Sequence, residues 1–411
     1  MKRYHCYGVI SLILFLQTST VVVAQYKNLL DSLLYSDTSS VMRKVLSDPD
    51  KYRLQIIYSQ TDHSNGSAII KDYSFRLKPE EYFYPASLVK LPESALALEK
   101  LNALKIARVD KYTPLFTNPA YSAIPSDSSV NPTLADNIMK MMVVSDNNAF
   151  NRVYDFLGQE YSHLRLFQKG YTNTRIIQRM VSASAEENRK SGPFKFVDTS
   201  GTIFYEEELI NTTKFFLNPA LNTNVGKAYF DGRKKINRPR SFSTNSFLPL
   251  SDAHQMLISI INPGYIKSSS RFELKEDDYL FLRKVMSMYP READVEEWKN
   301  DSIYYDCFRK FIYYGNYIGK ADSTIRIFNK VGMAYGFMSD VAYFAEYKNN
   351  IEFFLSVVLY VNEDEVLNDG RYDYNSIGFP FMEKLGKLIY KYELSRDVIC
   401  RNKKLYLLDY K

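Results

Sequence analysis

YFYPASLVKLPESALALEKL, residues 82–101, sets a serine and a lysine three positions apart at the mouth of an apolar helix. Three residues along a helix bring Lys90 onto the same face as Ser87. A serine hydroxyl is a poor nucleophile until something takes its proton. A lysine desolvated among leucine and alanine gives up its charge more easily, because burial disfavours the ammonium form. The two side chains can therefore act as nucleophile and base. Ser87 near a helix start also has backbone N–H groups at hand for an oxyanion. Pro92 cannot donate a helical hydrogen bond, so it fits only within the first turn and pins the helix start close to Ser87. The same spacing also occurs on solvated helix faces, so it does not stand alone.

Working outward, residues 26–48 read as helical, with Leu29, Leu30, Leu33 and Leu34 on one stripe. YRLQIIYSQT (52–61) and DYSFRL (72–77) read as strands joined by the turn residues HSNGSAI. NPTLADNIMKMMVVSDNNAFNRVYDFLG (131–158) reads as two helices around a polar break, with Thr133 and Asp136 at capping spacing and Gly158 as the stop. Residues 182–250 read as mostly loop. A helix follows with Ser251 or Asp252 as cap and Pro263-Gly264 as stop, then another over about 276–288. The stretch from there to 320 is charged and rich in tyrosine. STIRIFNKVG, DVAYFAEYK and IEFFLSVVLYV read as three strands, the last two joined at Lys348-Asn349-Asn350, and FPFMEKLGKLIYKY as a closing helix. Strands at both ends with helices between predict an α+β fold, an α/β sandwich. One antiparallel sheet is built from both chain ends, flanked by helices, with an all-α insertion lobe. The expected layout is a domain over 25–392, with sheet segments at about 52–80 and 323–362, a helical lobe at about 86–320, an insertion at about 190–325, and an extension over 393–411.

Two further triplets bear on chemistry. Ser145-Asp146-Asn147 interrupts the apolar helix pair, which a simple helix cap would also do. Lys330-Val331-Gly332 lies on a strand, where an edge lysine and a bulge glycine are the plain alternative. In the order SxxK, SDN, K-x-G, the three resemble the signature of penicillin-recognising serine enzymes, the class A serine β-lactamases and related DD-peptidases. FYPASLVK, with its aromatic ahead of the serine, fits that resemblance. So do GYTNTRIIQR (170–179), which is similar to the segment leading into that family's omega loop, and the hairpin and final helix after Lys330.

The resemblance implies roles. Ser87 would attack the acyl carbonyl and become an ester, and Lys90 would accept or relay its proton. Ser145 would pass a proton to the leaving nitrogen. Asn147 would bind the substrate amide. Lys330 would supply charge for Ser145 and the substrate carboxylate. The N–H groups of Ser87 and Met333, beside Gly332, would form the oxyanion hole. Two departures stand out. Val331 replaces the usual threonine and so removes a hydroxyl that contacts the substrate carboxylate; a threonine there is expected to improve affinity. The position of the glutamate that activates the hydrolytic water holds Val181, with Met180 and Ser182 beside it. Glu186 and Glu187 follow a few residues later, and either fill that place in a lengthened loop or are solvated loop charges. The first expectation is β-lactam hydrolysis; the alternatives are a D-alanyl-D-alanine peptidase of cell-wall metabolism and a non-catalytic peptidoglycan- or protein-binding relative.

Bulk properties bound the rest. The chain has 411 residues, 45% of them hydrophobic and 24% charged, proportions ordinary for a folded domain. Its net charge of +6 is scattered rather than clustered, which argues against a nucleic-acid partner. The 34 tyrosines read as packing. Residues 1–24 have a basic start, a short apolar run and small residues before Gln25, which predicts a cleaved signal peptide and a periplasmic or secreted protein without an integral membrane segment. Cys307 and Cys400 could pair in an oxidising compartment. His5, His63, His163 and His254 form no metal-binding pattern, so no metal or cofactor is expected. The expected partner is a small-molecule β-lactam or a peptidoglycan stem peptide.

Overall fold

The computed structural model describes residues 28–397 except 65–66, 118–131, 199, 209 and 301. The proposed signal peptide, Cys400 and most of the C-terminal extension lie outside the described residues.

Five strands make the main sheet: β1 (Gln55–Ser64), β2 (Ser67–Phe75), β3 (Ile325–Ala334), β4 (Phe337–Glu346) and β5 (Ile351–Tyr360). Their order is β3-β4-β5-β1-β2, with every neighbour antiparallel. The two chain ends meet where Gln55 pairs with Val358. The alternating pattern of β5 explains why it is buried throughout. Phe353, Leu355 and Val357 join one core, and Phe354 and Val358 join the other, so side chains of period two serve both faces. The β3–β4 hairpin turns on Tyr335 and Gly336, both with positive φ, as the strand twist demands of a two-residue turn. The β4–β5 turn is tied by the Glu346 carboxylate, which accepts from the N–H groups of Lys348 and Asn349 at 2.9 and 2.8 Å.

On one face pack α1 (Leu29–Ser36), α2 (Ser40–Ser47) and, near the chain end, a helix over Phe379–Ser395. The single helix expected over 26–48 is two, because the Asp37 carboxylate accepts from Ser39 N–H at 2.7 Å and ends the first. The other face carries the lobe: α3 (Lys90–Leu104), α4 (Leu134–Val143), α5 (Asn147–Leu157), α6 (Gln159–Gln168), α7 (Leu250–Ile261) and α8 (Glu276–Ser287). The closing helix over Phe379–Ser395 is α9. Thr133 Oγ1 accepts from Asp136 N–H at 3.0 Å and starts α4 as its spacing foretold. The cap of α7 is Pro249 rather than Ser251 or Asp252; Asp252 sits in the first turn and accepts from Thr174 Oγ1 at 2.8 Å. The lobe adds short strands to its helices. Phe194–Val197 pairs with Leu115–Thr117 and with Ile203–Glu207. The tyrosine-rich stretch is packed down, with Cys307, Phe311 and Ile312 buried in the core shared with α9.

Candidate active site

Ser87 sits on a 3-10 turn, Ala86–Val89, that runs directly into α3 at Lys90. Pro92 is the third residue of that helix, where its missing N–H costs nothing. Ala86 has φ +45°, a conformation that side-chain-bearing residues rarely hold. What holds it is local: Leu88 N–H donates to Pro85 O at 2.9 Å and closes the turn. Strand β3 then lies hard against it. A Cβ added at Gly332 would come within 2.1 Å of Pro85 O and 3.2 Å of Leu88 N. Because β3 is the outer strand of the sheet, its backbone edge at Gly332 and Met333 runs beside the Ser87 turn.

Lys90 Nζ is 2.9 Å from Ser87 Oγ, 2.7 Å from Ser145 O and 2.8 Å from Asn147 Oδ1. The side chain is fully buried. Burial pulls its pKa down to about 7, against the pull of Asp146, and the Arg309 charge pushes the same way as burial. A neutral amine has two hydrogens and one lone pair. The Ser145 carbonyl and the Asn147 amide oxygen can only accept, so they take both hydrogens. The lone pair is then left for a hydroxyl, that of Ser87 at 2.9 Å ahead of that of Ser145 at 3.3 Å, which is the arrangement a general base needs.

Ser145 belongs to the break between α4 and α5 and has φ +64°. Asp146 caps α5, accepting from Ala149 N–H at 2.7 Å. Lys330 Nζ reaches across from β3 and donates to Ser145 Oγ at 3.0 Å. Burial first, then the neighbouring charge of Lys90, hold the Lys330 pKa well below the usual lysine range. With Lys330 donating to its oxygen, Ser145 keeps its own O–H free to hand a proton onward. Ser87, Lys90, Ser145, Asn147 and Lys330 thus form one connected cluster, drawn from three distant parts of the sequence.

Beside Asn147 and the end of β3 opens a cavity of about 610 Å3. Met180, Val181 and Ser182 line it, and among its described lining residues none is Asp or Glu. Two long-range ties set this loop. Asn151 Oδ1 accepts from Met180 N–H at 2.8 Å. Buried Arg179 pairs with Asp155 and also binds the carbonyls of Glu187 and Lys190. Glu186 and Glu187 are not brought to the site. Glu187 caps its own short helix, accepting from Ser184 N–H at 2.7 Å, and Glu186 is exposed and pairs with Lys190 at 3.1 Å.

The expectation for Val331 needs correcting. Lys330 and Val331 point to opposite sides of β3. Val331 is 3% exposed and lies in the core with Ile327 and Phe381, on the side of α1 and α9. Val331→Thr is therefore expected to bury a hydroxyl, costing about 1–3 kcal/mol of stability if it finds no partner, with no gain in affinity. Thermal unfolding beside a titration with a carboxylate-bearing β-lactam checks this; tighter binding at unchanged stability would restore the original reading.

Two site residues escaped the sequence. Arg309 lies within the tyrosine-rich stretch and has φ +62°; its Nε is buried without a hydrogen-bond partner, and its charge acts on both lysines. No pattern marked it. Asn151 stands one helical turn after Asn147, and that spacing was a usable signal. Among the described histidines, His63 pairs with Glu352, His163 bonds to Gln159 O, and His254 bridges Ser59 and Ser356, all away from the cluster.

Residues 43–207 match the model of the Beta-lactamase enzyme family. With the motifs gathered as described, that stretch is similar to the serine β-lactamases, and the antiparallel sheet flanked by helices is an α+β fold. No curated protein sequence matches it. Similar solved structures include a β-lactamase from Sphaerobacter thermophilus, at 12% identity, covering 89% of this chain and 98% of that one, with a TM-score of 0.48. The class A β-lactamase of Clostridium kluyveri has 12% identity over 85% of this chain and 97% of its own, with a TM-score of 0.48. A variant of PBP-A in an acyl-enzyme complex with penicillin G has 13% identity over 89% and 97%, with a TM-score of 0.46.

Proposed function

We propose that the protein is a serine acyl-hydrolase that forms an acyl-enzyme at Ser87 with β-lactams or with D-alanyl cell-wall peptides, in the periplasm or outside the cell. The observation that carries this reading is the buried Lys90 amine, whose two hydrogens are claimed by Ser145 O and Asn147 Oδ1 and whose lone pair is left to Ser87. Ser87 Oγ attacks the carbonyl carbon as its proton passes to Lys90. The N–H groups of Ser87 and Met333 hold the oxyanion. The C–N bond breaks as Ser145, polarised by Lys330, protonates the leaving nitrogen and takes a proton in turn from the Lys90 ammonium, 3.3 Å away. Lys330, as a hydrogen-bond donor, and Arg309, as a charge, are the groups offered to a substrate carboxylate. Water then cleaves the ester and regenerates the Ser87 hydroxyl.

The peptidase reading gains support over efficient β-lactam turnover from the cavity wall beside Asn147. No described residue there carries a carboxylate to activate water, and Glu187 would have to abandon its cap to reach in. A pulse of benzylpenicillin followed by intact-protein mass spectrometry tests both levels. The expected result is a long-lived adduct of one penicillin on wild type and none on Ser87→Ala. Steady turnover without an adduct would favour the β-lactamase reading. No acylation by either a β-lactam or a D-alanyl peptide would overturn the enzyme.

A further inference from the structure

The cavity beside Asn147 has a chemical character that the acyl-enzyme reaction does not require. Three arginines line it, and among the described lining residues no Asp or Glu does. Arg179 is neutralised by its buried partner Asp155. The other two are not. Arg240 lies over the rings of Tyr335 and Phe242 at 4.8 and 5.4 Å, and Arg189 over Phe215 at 4.1 Å. Neither joins an ion pair among the described residues. Arg189 spends one N–H on Ala185 O at 3.3 Å. Stacking on an aromatic face fixes the plane of a guanidinium and leaves its edge donors for a ligand, the geometry that suits a carboxylate. Beside them Asn245 donates to Gln178 Oε1 at 2.7 Å, and Gln178 donates to the Tyr84 hydroxyl at 2.9 Å. That fixed row of amide and phenol groups suits a peptide more than a hydrocarbon arm.

We infer that this cavity receives the acyl arm of the substrate and selects an anionic peptide, one with a free carboxylate beyond the scissile carbonyl, through Arg240 and Arg189. The inference rests on Ser87 being the acylation site, and it names the substrate class for that site. A built cationic wall without acidic lining would attract an anion before any chemistry, so binding and reaction can be read separately.

The probes are two acyl-D-alanyl thioesters, one with a glutaryl arm and one with the uncharged glutaramide arm. Calorimetry on Ser87→Ala reads binding alone, and thioester cleavage on wild type reads kcat/KM. The expected result is at least a tenfold preference for the glutaryl arm in both. Arg240→Gln and Arg189→Gln together should erase it with little change for the glutaramide, and Arg240→Lys should keep part of it. Equal binding of the two arms to Ser87→Ala would overturn the inference, as would a preference that survives both arginine changes. Preferential binding without any cleavage by wild type would instead sink the acyl-hydrolase reading and leave the anionic subsite standing.

Discussion

Replacing Lys90 by alanine is expected to slow acylation of Ser87 at least about a hundredfold, the scale of a lost general base. The reason lies in the count of hydrogens on the amine. Once neutral, Lys90 has only its lone pair to offer Ser87, because Ser145 O and Asn147 Oδ1 hold the rest. The pH profile follows with a definite sign. The protonated amine has no lone pair, and burial brings the pKa down to about 7, so the acylation rate should rise with pH through about 7 and level off above it. An exposed lysine would titrate more than three units higher. Stopped-flow labelling with a fluorescent penicillin from pH 5 to 9 gives both results. A flat profile, or a Lys90→Ala rate close to wild type, would reduce Lys90 to a structural cation.

The second large effect belongs to Gly332. An alanine there would place its Cβ 2.1 Å from Pro85 O and 2.8 Å from Ser339 Oγ. The first contact is with main chain and cannot be relieved by a side-chain rotation. Pro85 O also accepts the bond that closes the Ser87 turn. Gly332→Ala must therefore push β3 away from the turn, taking Met333 N–H and Lys330 with it. A displacement of about 1 Å at a reacting group can cost about a hundredfold in rate, and overpacking of this kind costs about 1–3 kcal/mol in stability. Both should fall together: slower acylation by stopped flow and a lower Tm. Wild-type acylation in a folded Gly332→Ala protein would show that the strand edge takes no part in holding the acyl oxygen.

Much of this site could be read from the sequence because its key relations are local. Ser87 and Lys90 are one turn apart, and the polar break at Ser145 interrupts an otherwise apolar helix pair. The helix starts at Thr133 and the hairpin at Lys348 were equally local. What escaped depends on where distant segments go. The face of β3 occupied by Val331 is decided by α1 and α9 packing behind it, not by the triplet in which it sits. The path of the loop bearing Glu186 and Glu187 is set by Asn151 and Asp155, residues of another helix. Arg309 reaches the site only because the stretch around Phe311 folds onto the sheet. No periodicity in its own neighbourhood carries that information.

The pairing of Gln55 with Val358 has a consequence for how the protein comes into being. Beyond its hairpin with β2, the first strand waits for a partner made about 300 residues later, and so wide a separation makes folding slow, since loop closure must precede the contacts that reward it. During synthesis the apolar β1 segment has no lasting partner beyond its own hairpin. A chain cut short before residue 325 would lack Lys330, the edge beside Ser87 and the partner of β1 all at once. Activity and foldedness should therefore vanish together on C-terminal truncation into β3, whereas the lobe between, whose helices contact one another, is the part best able to form first.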